Sequence, residues 1–462
     1  MNSRDCRRRP DLFRSNLRTP SRTVIRYRRL LFGACGVVVF GCGGGVSDGT
    51  GPIAPVDSTK PPVGTVERGT ITVRVETDPA DAAIASAVGM NVAGLTVRLT
   101  RQLSSDAPVS GHTGPDGSVQ FSNLLEGVYN ASIDRPLTTS EQARLPVTDR
   151  DVSVFAGAAT IVFTPPLREA TVPLVASRRG SLMISEVFVY TNPPGGPAYG
   201  FGTYLEVYNA ADTTIYLDGM LIGSTWGGMH RGDLARGPCE TFNIASRLDS
   251  TSLWLGLVQA FPGAGRDFPI APGQAKVIAM DAMNHSAASP TTNQVDLSNA
   301  AFEQHGDDAD IDNPFVPNMI TVRGGIGIFG RGYLVTPSNS YALLLPGAAS
   351  RLVPGEIAAL GGGSFAAYRV TPAFILDVLS VLGTPEETKS TSWYQGGGRI
   401  CTPFLSPVFE RDVAQIGDSN LRTAIRRKSL GFTSSGIELL QRTHTSSRDL
   451  EYAAPLRRSL DK

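Results

Sequence analysis

Across residues 68–178 the apolar side chains fall at every second position, in short runs broken by turn formers. Ile71, Val73 and Val75 alternate with polar residues, as do Leu95, Val97 and Leu99, and then Val119 and Phe121. A period of two puts one face of a strand in a core and the other in water, whereas a helix would need a period of 3.6. Glycine and proline supply the breaks: 50 Gly and 32 Pro among 462 residues, about 18% against roughly 12% in average usage. Charged residues, at 18%, sit below the ordinary ~25%. A long helical bundle or coiled coil is excluded on these grounds. The expected class is all-β, with many short strands and turns.

Basic and acidic residues balance at 42 each, yet the balance is uneven along the chain. Residues 1–41 hold ten arginines against Asp5 and Asp11, so the remainder carries 32 basic and 40 acidic side chains. A nucleic-acid binder keeps a basic footprint on its folded part, and this chain has none. The arginines precede an apolar stretch, Leu30 to Gly41. Twelve residues of helix rise about 18 Å, too little for a bilayer core of ~30 Å. A basic segment followed by so short an apolar one is the pattern of an export signal, expected over 1–41.

The stretch ends in Val39-Phe40-Gly41-Cys42, which resembles the lipobox of bacterial lipoproteins. That resemblance implies lipidation at Cys42, and no other apolar run reaches 18 residues, so the lipid would be the sole membrane anchor. Gly43 rather than Asp follows the cysteine, which in such lipoproteins implies the outer membrane of a Gram-negative cell. Once the signal is removed and Cys42 acylated, Cys239 and Cys401 are left. In an oxidising compartment they form a candidate disulfide, closing a loop worth roughly 4–5 kcal/mol in the chain-entropy account. The alternative is two unrelated buried thiols.

From residue 42 to 67, fifteen of 26 residues are Gly, Pro, Ser or Thr. Such a segment cannot bury a core and reads as a flexible linker, with a reach of about 25–30 Å. Residues 68–178 read as one β-sandwich. Their segment from Thr113 to Tyr129, with Asp116-Gly117 as a hairpin turn signal, resembles the carboxypeptidase-regulatory-like, prealbumin-like sandwiches, usually spacers or binding units. Lys–Asn isopeptide crosslinks known among related pilin-type modules are excluded, since residues 69–177 contain no lysine.

Residues 179–455 have a different texture. Met183–Val187 starts a strand, and Tyr204-Leu205-Glu206-Val207-Tyr208-Asn209 with Ile215–Gly223 forms a strand–turn–strand pair centred on Asp218-Gly219. This resembles a lamin-tail, immunoglobulin-like sandwich. Pro272–Ala279, Asp296–Ala300, Asp310–Pro314, Ile375–Val378 and Ile425–Lys428 continue the likeness to a family of lamin-tail-like bacterial lipoproteins that brings no established activity. The implied architecture is two Ig-like or prealbumin-like β-sandwich modules, the C-terminal one large with long loops, followed by a tail over 456–462.

Candidate chemistry is sparse. Asp308, Asp310 and Asp312 alternate in an acidic run and could converge on Ca²⁺ from a loop, but the run lacks the Gly and Glu of an EF-hand, and Asx-rich turns give the same pattern. Gly325-x-Gly327-x-x-Gly330 follows an expected strand, Met319–Arg323, without the helix and acidic residue of a dinucleotide site. Asp281 lies four residues before His285, with no further ligand spacing beside it. There is no G-x-S-x-G elbow, and Arg231-Gly232-Asp233 is a chance tripeptide in a chain rich in Arg and Gly. Trp226, Phe261, Phe268 and Trp393 lie near Gly/Pro-rich loops and are candidate ligand platforms, with core packing as the competing reading.

The expectation is a non-enzymatic, lipid-anchored envelope protein that binds a ligand or partner, accessory to an outer-membrane uptake system with a β-barrel transporter. A surface polysaccharide-binding or adhesive lipoprotein is the alternative, and a hydrolase with a dispersed site the third reading. No cofactor beyond the Ca²⁺ candidate and no nucleic-acid partner is expected. The lipidated chain would face either the cell surface or the periplasm.

Overall fold

The computed structural model describes residues 68–165, 167, 169–189, 202–225, 252–288, 294–304, 312–324, 335, 339–358, 364–382, 409–411, 413–415, 423–433 and 435–455. Of these, 50% lie in strands and 11% in helices, so the chain is all-β. All belong to one compact unit.

Seven strands build the first module: β1 (Arg68–Thr77), β2 (Thr96–Arg101), β3 (Val109–His112), β4 (Ser118–Leu125), β5 (Gly127–Pro136), β6 (Val154–Phe163) and β7 (Glu169–Ser177). Their spatial order is β3-β2-β5-β6-β7-β1-β4. β1 and β7 run parallel, from Thr72 opposite Glu169 to Thr77 opposite Leu174; the other neighbours are antiparallel. β7 changes partner along its length, because Val175–Ser177 pair instead with Ala156–Val154 of β6. It thereby joins the two halves of the sandwich. The alternating apolar residues of the sequence face inward as expected: Ile71, Val73, Val75, Val97, Leu99 and Phe121 share a core with Phe155, Phe163, Val172 and Leu174.

Two local features depart from the sequence reading. Asp116-Gly117 does make a tight turn: Gly117 sits at φ +77°, and the Gly114 N–H donates to Ser118 O at 2.8 Å. The flanking strands do not form a hairpin, however, since β3 pairs with β2 and β4 with β1. The turn carries the chain from one half of the sandwich to the other, each strand finding its partner in a different half. The second feature is a short helix, Ala82–Val88, closed by Gly89 at φ +67°. Its Ala-rich stretch and terminal Gly are ordinary helix signals, obscured by an otherwise strand-like neighbourhood.

The rest of the unit is layered. One six-stranded sheet orders Phe302–Glu303, Ala275–Ala279, Tyr204–Asn209, Leu182–Phe188, Ala424–Arg427 and Leu450–Ala453. Another orders Ile320–Gly324, Leu257–Ala260, Leu221–Ser224, Asn339–Leu344, Ile375–Leu382 and Ala414–Gln415. They share a core that contains Ile184, Val207, Ile278 and Ile425 from the first and Ile222, Leu257, Leu343 and Val381 from the second. A three-stranded sheet of Leu253–Leu255, Ser364–Val370 and Val353–Ala358 covers the other side of the second sheet, where Leu255 and Val370 meet Leu221, Ala342 and Leu344. Covered on both faces, Asn339–Leu344 is buried at every position. The large C-terminal sandwich is therefore three layers deep in part.

The hairpin of Ser429–Phe432 and Glu438–Leu440 packs on the first module, with Leu430 and Leu439 against Val154, Ala156 and Val175. Gly431 makes the approach possible, since a Cβ there would stand 2.4 Å from Ser132 Cβ. Ion pairs flank the contact: Arg448 with Asp78 at 3.1 Å and with Asp81, and Arg411 with Asp149 at 2.7 Å.

Candidate functional site

The expected site residues separate into those that the structure describes and those it does not. Cys42, Cys239, Cys401, Trp226, Trp393, Asp308 and Asp310 lie outside the described residues, as do Gly325, Gly327, Gly330 and the Arg231-Gly232-Asp233 tripeptide. Asp312 is described; it is exposed and its Oδ1 accepts from Asn318 Nδ2 at 2.8 Å. Among the described residues no group of three metal-ligating side chains comes together. Among them, too, no helix is long and apolar enough to cross a membrane.

Glu303, at the head of the acidic run, holds the loop rather than facing solvent. Its carboxylate is buried and accepts from the Ala282 N–H at 3.0 Å and the Asn313 N–H at 2.9 Å. The two phenylalanines offered as platforms are packing residues. Phe261 is 1% exposed, and both Phe261 and Phe268 stand edge-on to Phe302 with ring centroids 5.1 Å away. Phe268 is half-buried against that core, and Asp218 pins its loop there. The carboxylate accepts from the N–H groups of Gly265 at 3.0 Å, Asp267 at 2.8 Å and Phe268 at 3.0 Å. Burial raises the Asp218 pKa, but these backbone donors outweigh it and hold the group below its ordinary range. The Asp218-Gly219 turn is thus an internal clasp. His285 is buried as well, its Nε2 2.8 Å from the Asp281 carbonyl, and burial lowers its proton affinity.

Among the described residues, one buried assembly of ionisable groups was invisible in the sequence. Arg427, 2% exposed, lies 3.0 Å from Asp377 and 3.3 Å from Asp449, each 1% exposed. Arg442 Nε lies 2.9 Å from Asp377. Glu410 completes the set, accepting from Ser446 N at 2.8 Å and from Ser446 Oγ at 2.9 Å. Burial and the neighbouring Asp449 push the Glu410 carboxyl up to about 8. With Glu410 protonated, two guanidinium groups meet two carboxylates and the cluster is neutral. Removing one member of such a buried set would leave another charge uncompensated, and its members are consumed by one another.

An open groove of about 410 Å³ lies on the first module, lined by Gly69, Thr70, Thr72, Gln120, Phe163, Pro165, Leu167 and Glu169. Its volume falls within the ~300–1,000 Å³ of small-ligand sites. Register explains the lining: Thr72 of β1 stands opposite Gln120 of β4 and opposite Glu169 of β7, so the three form one row across three strands. Thr72 lies between the inward-facing Ile71 and Val73 and Gln120 between Val119 and Phe121, while Glu169 opens β7. In sequence these are unremarkable outward residues of separate strands, and only the pairing brings them together.

No protein-family model matches the chain, and no curated protein matches it. Among solved structures, the chain is similar to a DUF4876 family protein from Bacteroides thetaiotaomicron, with 16% identity, a TM-score of 0.45, and coverage of 83% of this chain and 94% of that one. It is also similar to a DUF3823 family protein from Parabacteroides merdae, with 11% identity, a TM-score of 0.16, and coverage of 35% and 67%. A DUF3823 family protein from Bacteroides uniformis gives 12% identity and a TM-score of 0.15 over 66% of this chain and 99% of that one. Scores of this size carry no inference about what the chain does.

Proposed function

We propose that the chain is a lipid-anchored protein of the outer membrane that works by binding rather than by catalysis. The observation that carries the reading is the order of its first segments. An arginine-rich stretch, a short apolar run and Val39-Phe40-Gly41-Cys42 precede a Gly/Pro/Ser/Thr linker, which leads to the first strand at Arg68. A tether of that make-up holds a body at a membrane surface while leaving it free to meet a partner.

The engagement of the described titratable groups supports the non-catalytic part. Asp377, Asp449 and Glu410 are bound up with arginines and Ser446, while Asp218 and Glu303 clasp loops. Asp218 and Glu410 are thus engaged within the fold, whereas a catalytic acid or base must reach a substrate. An outer-membrane β-barrel transporter is the partner that this reading favours, with the chain as its accessory subunit.

Metabolic labelling with a palmitate analogue tests the anchor: the native chain takes up label and Cys42→Ala does not. A Cys42→Ala chain that still labels overturns it. A mild-detergent pull-down from native membranes then tests the partner, the expected product being a stoichiometric β-barrel protein.

A further inference from the structure

We propose that the outer face of β4, β1 and β7 binds a neutral carbohydrate, an assignment that rests on the reading of the chain as a binding protein. The row Gln120–Thr72–Glu169 crosses three neighbouring strands and spans about 10 Å at ~4.8 Å per strand. Thr70 extends it along β1. Together these side chains present two hydroxyls, an amide and a carboxylate, a set that donates as well as accepts. That is what a sugar hydroxyl, itself both donor and acceptor, requires.

None of Thr70, Thr72, Gln120 and Glu169 is engaged by a side-chain hydrogen bond among the described residues. Unlike the carboxylates of the Arg427 cluster, they are not committed to holding the fold. Pro165 and Leu167, from the segment between β6 and β7, form an apolar wall beside the row. A pyranose ring has hydroxyl edges and a face of C–H groups, so a polar floor with an apolar wall suits both of its aspects.

Other ligand classes fit less well. Among the described lining residues Glu169 is the one that carries a charge, which opposes an anion such as a phosphate. A single carboxylate is too few hard ligands for a Ca²⁺ ion, which takes six to eight oxygens. A wholly apolar ligand would cover four polar side chains and leave them unpaired, at a cost.

The test uses the full-length chain in a detergent without a sugar headgroup. Isothermal titration is made with neutral gluco-, manno-, galacto- and xylo-oligosaccharides, and with sialyllactose as the charged control. The expected result is binding of at least one neutral oligosaccharide. It should weaken at least tenfold in the Thr72→Val, Gln120→Leu double variant and again in Glu169→Gln, with unchanged far-ultraviolet circular dichroism. Valine keeps the shape and strand preference of threonine at an outward position, so Thr72→Val alone serves as the control if the double variant fails to fold.

Equal affinity in the variants and the native chain would overturn the groove assignment while leaving the chain a carbohydrate binder. Absence of binding to every neutral oligosaccharide, with a β-barrel partner captured in the pull-down, would overturn the groove and leave the wider reading standing. Absence of both would overturn both.

Discussion

Glu410 is the third carboxylate in a cluster that contains two guanidinium groups. Packed against Asp449, Arg427 and Ser446, it retains its proton to about pH 8 in the native state. The unfolded chain releases that proton in the ordinary glutamate range, so between that range and about 8 the native state binds more protons than the unfolded one. Stability through this group therefore falls as pH rises across the interval and is flat above it. Glu410→Gln cannot ionise and removes the slope. Relative to the native chain, the variant should gain stability from about pH 5 to about 8, by at most about 1.4 kcal/mol per pH unit. Urea midpoints measured at several pH values would show it, and a constant difference would refute it. Residue-level legibility was mixed. Asp218 stood out in its Leu-Asp-Gly turn, although its work as a clasp on Phe268 did not. Glu410 carried no signal at all, because Asp449, Arg427 and Ser446 meet it only through the packing of segments distant in sequence.

At the level of elements, alternation was legible wherever a strand has one wet face, as β1, β2 and β4 do. It gave nothing for Asn339–Leu344, which is buried at every position, since a strand covered on both faces has no reason to alternate; Tyr204–Asn209, equally buried, was legible as a strand by its likeness to lamin-tail sandwiches instead. The turn at Asp116-Gly117 was legible too, but its partners were not: a turn fixes the local reversal, whereas pairing is decided by the whole sandwich. The same reasoning applies to the Ser429–Phe432 hairpin. Gly431 has φ +96° and a Cβ there would meet Ser132, so Gly431→Ala suffers both backbone strain and a clash. We expect a loss of more than about 1 kcal/mol, read as a lowered denaturation midpoint, with a midpoint equal to that of the native chain counting against the close packing. The groove row was illegible for a related reason, as Thr72, Gln120 and Glu169 become neighbours only through register.

For the whole molecule, the parallel pairing of β1 with β7 has a mechanical meaning. The chain enters β1 at Arg68 and leaves β7 at Ser177 toward the C-terminal layers. Because the two strands run the same way, those points lie at opposite ends of their shared ladder. A pull between the segment before Arg68 and the body beyond Ser177 draws the strands past each other lengthwise. It loads the rungs from Thr72–Glu169 to Thr77–Leu174 together rather than peeling them singly. Single-molecule pulling from residues preceding Arg68 and from the C-terminal body should meet a distinct force peak at this ladder, and unfolding at the low, featureless forces of a zipper would contradict it. The junction is thus arranged to transmit tension: drag on the body arrives at the strand ladder as shear, the direction in which a ladder resists best.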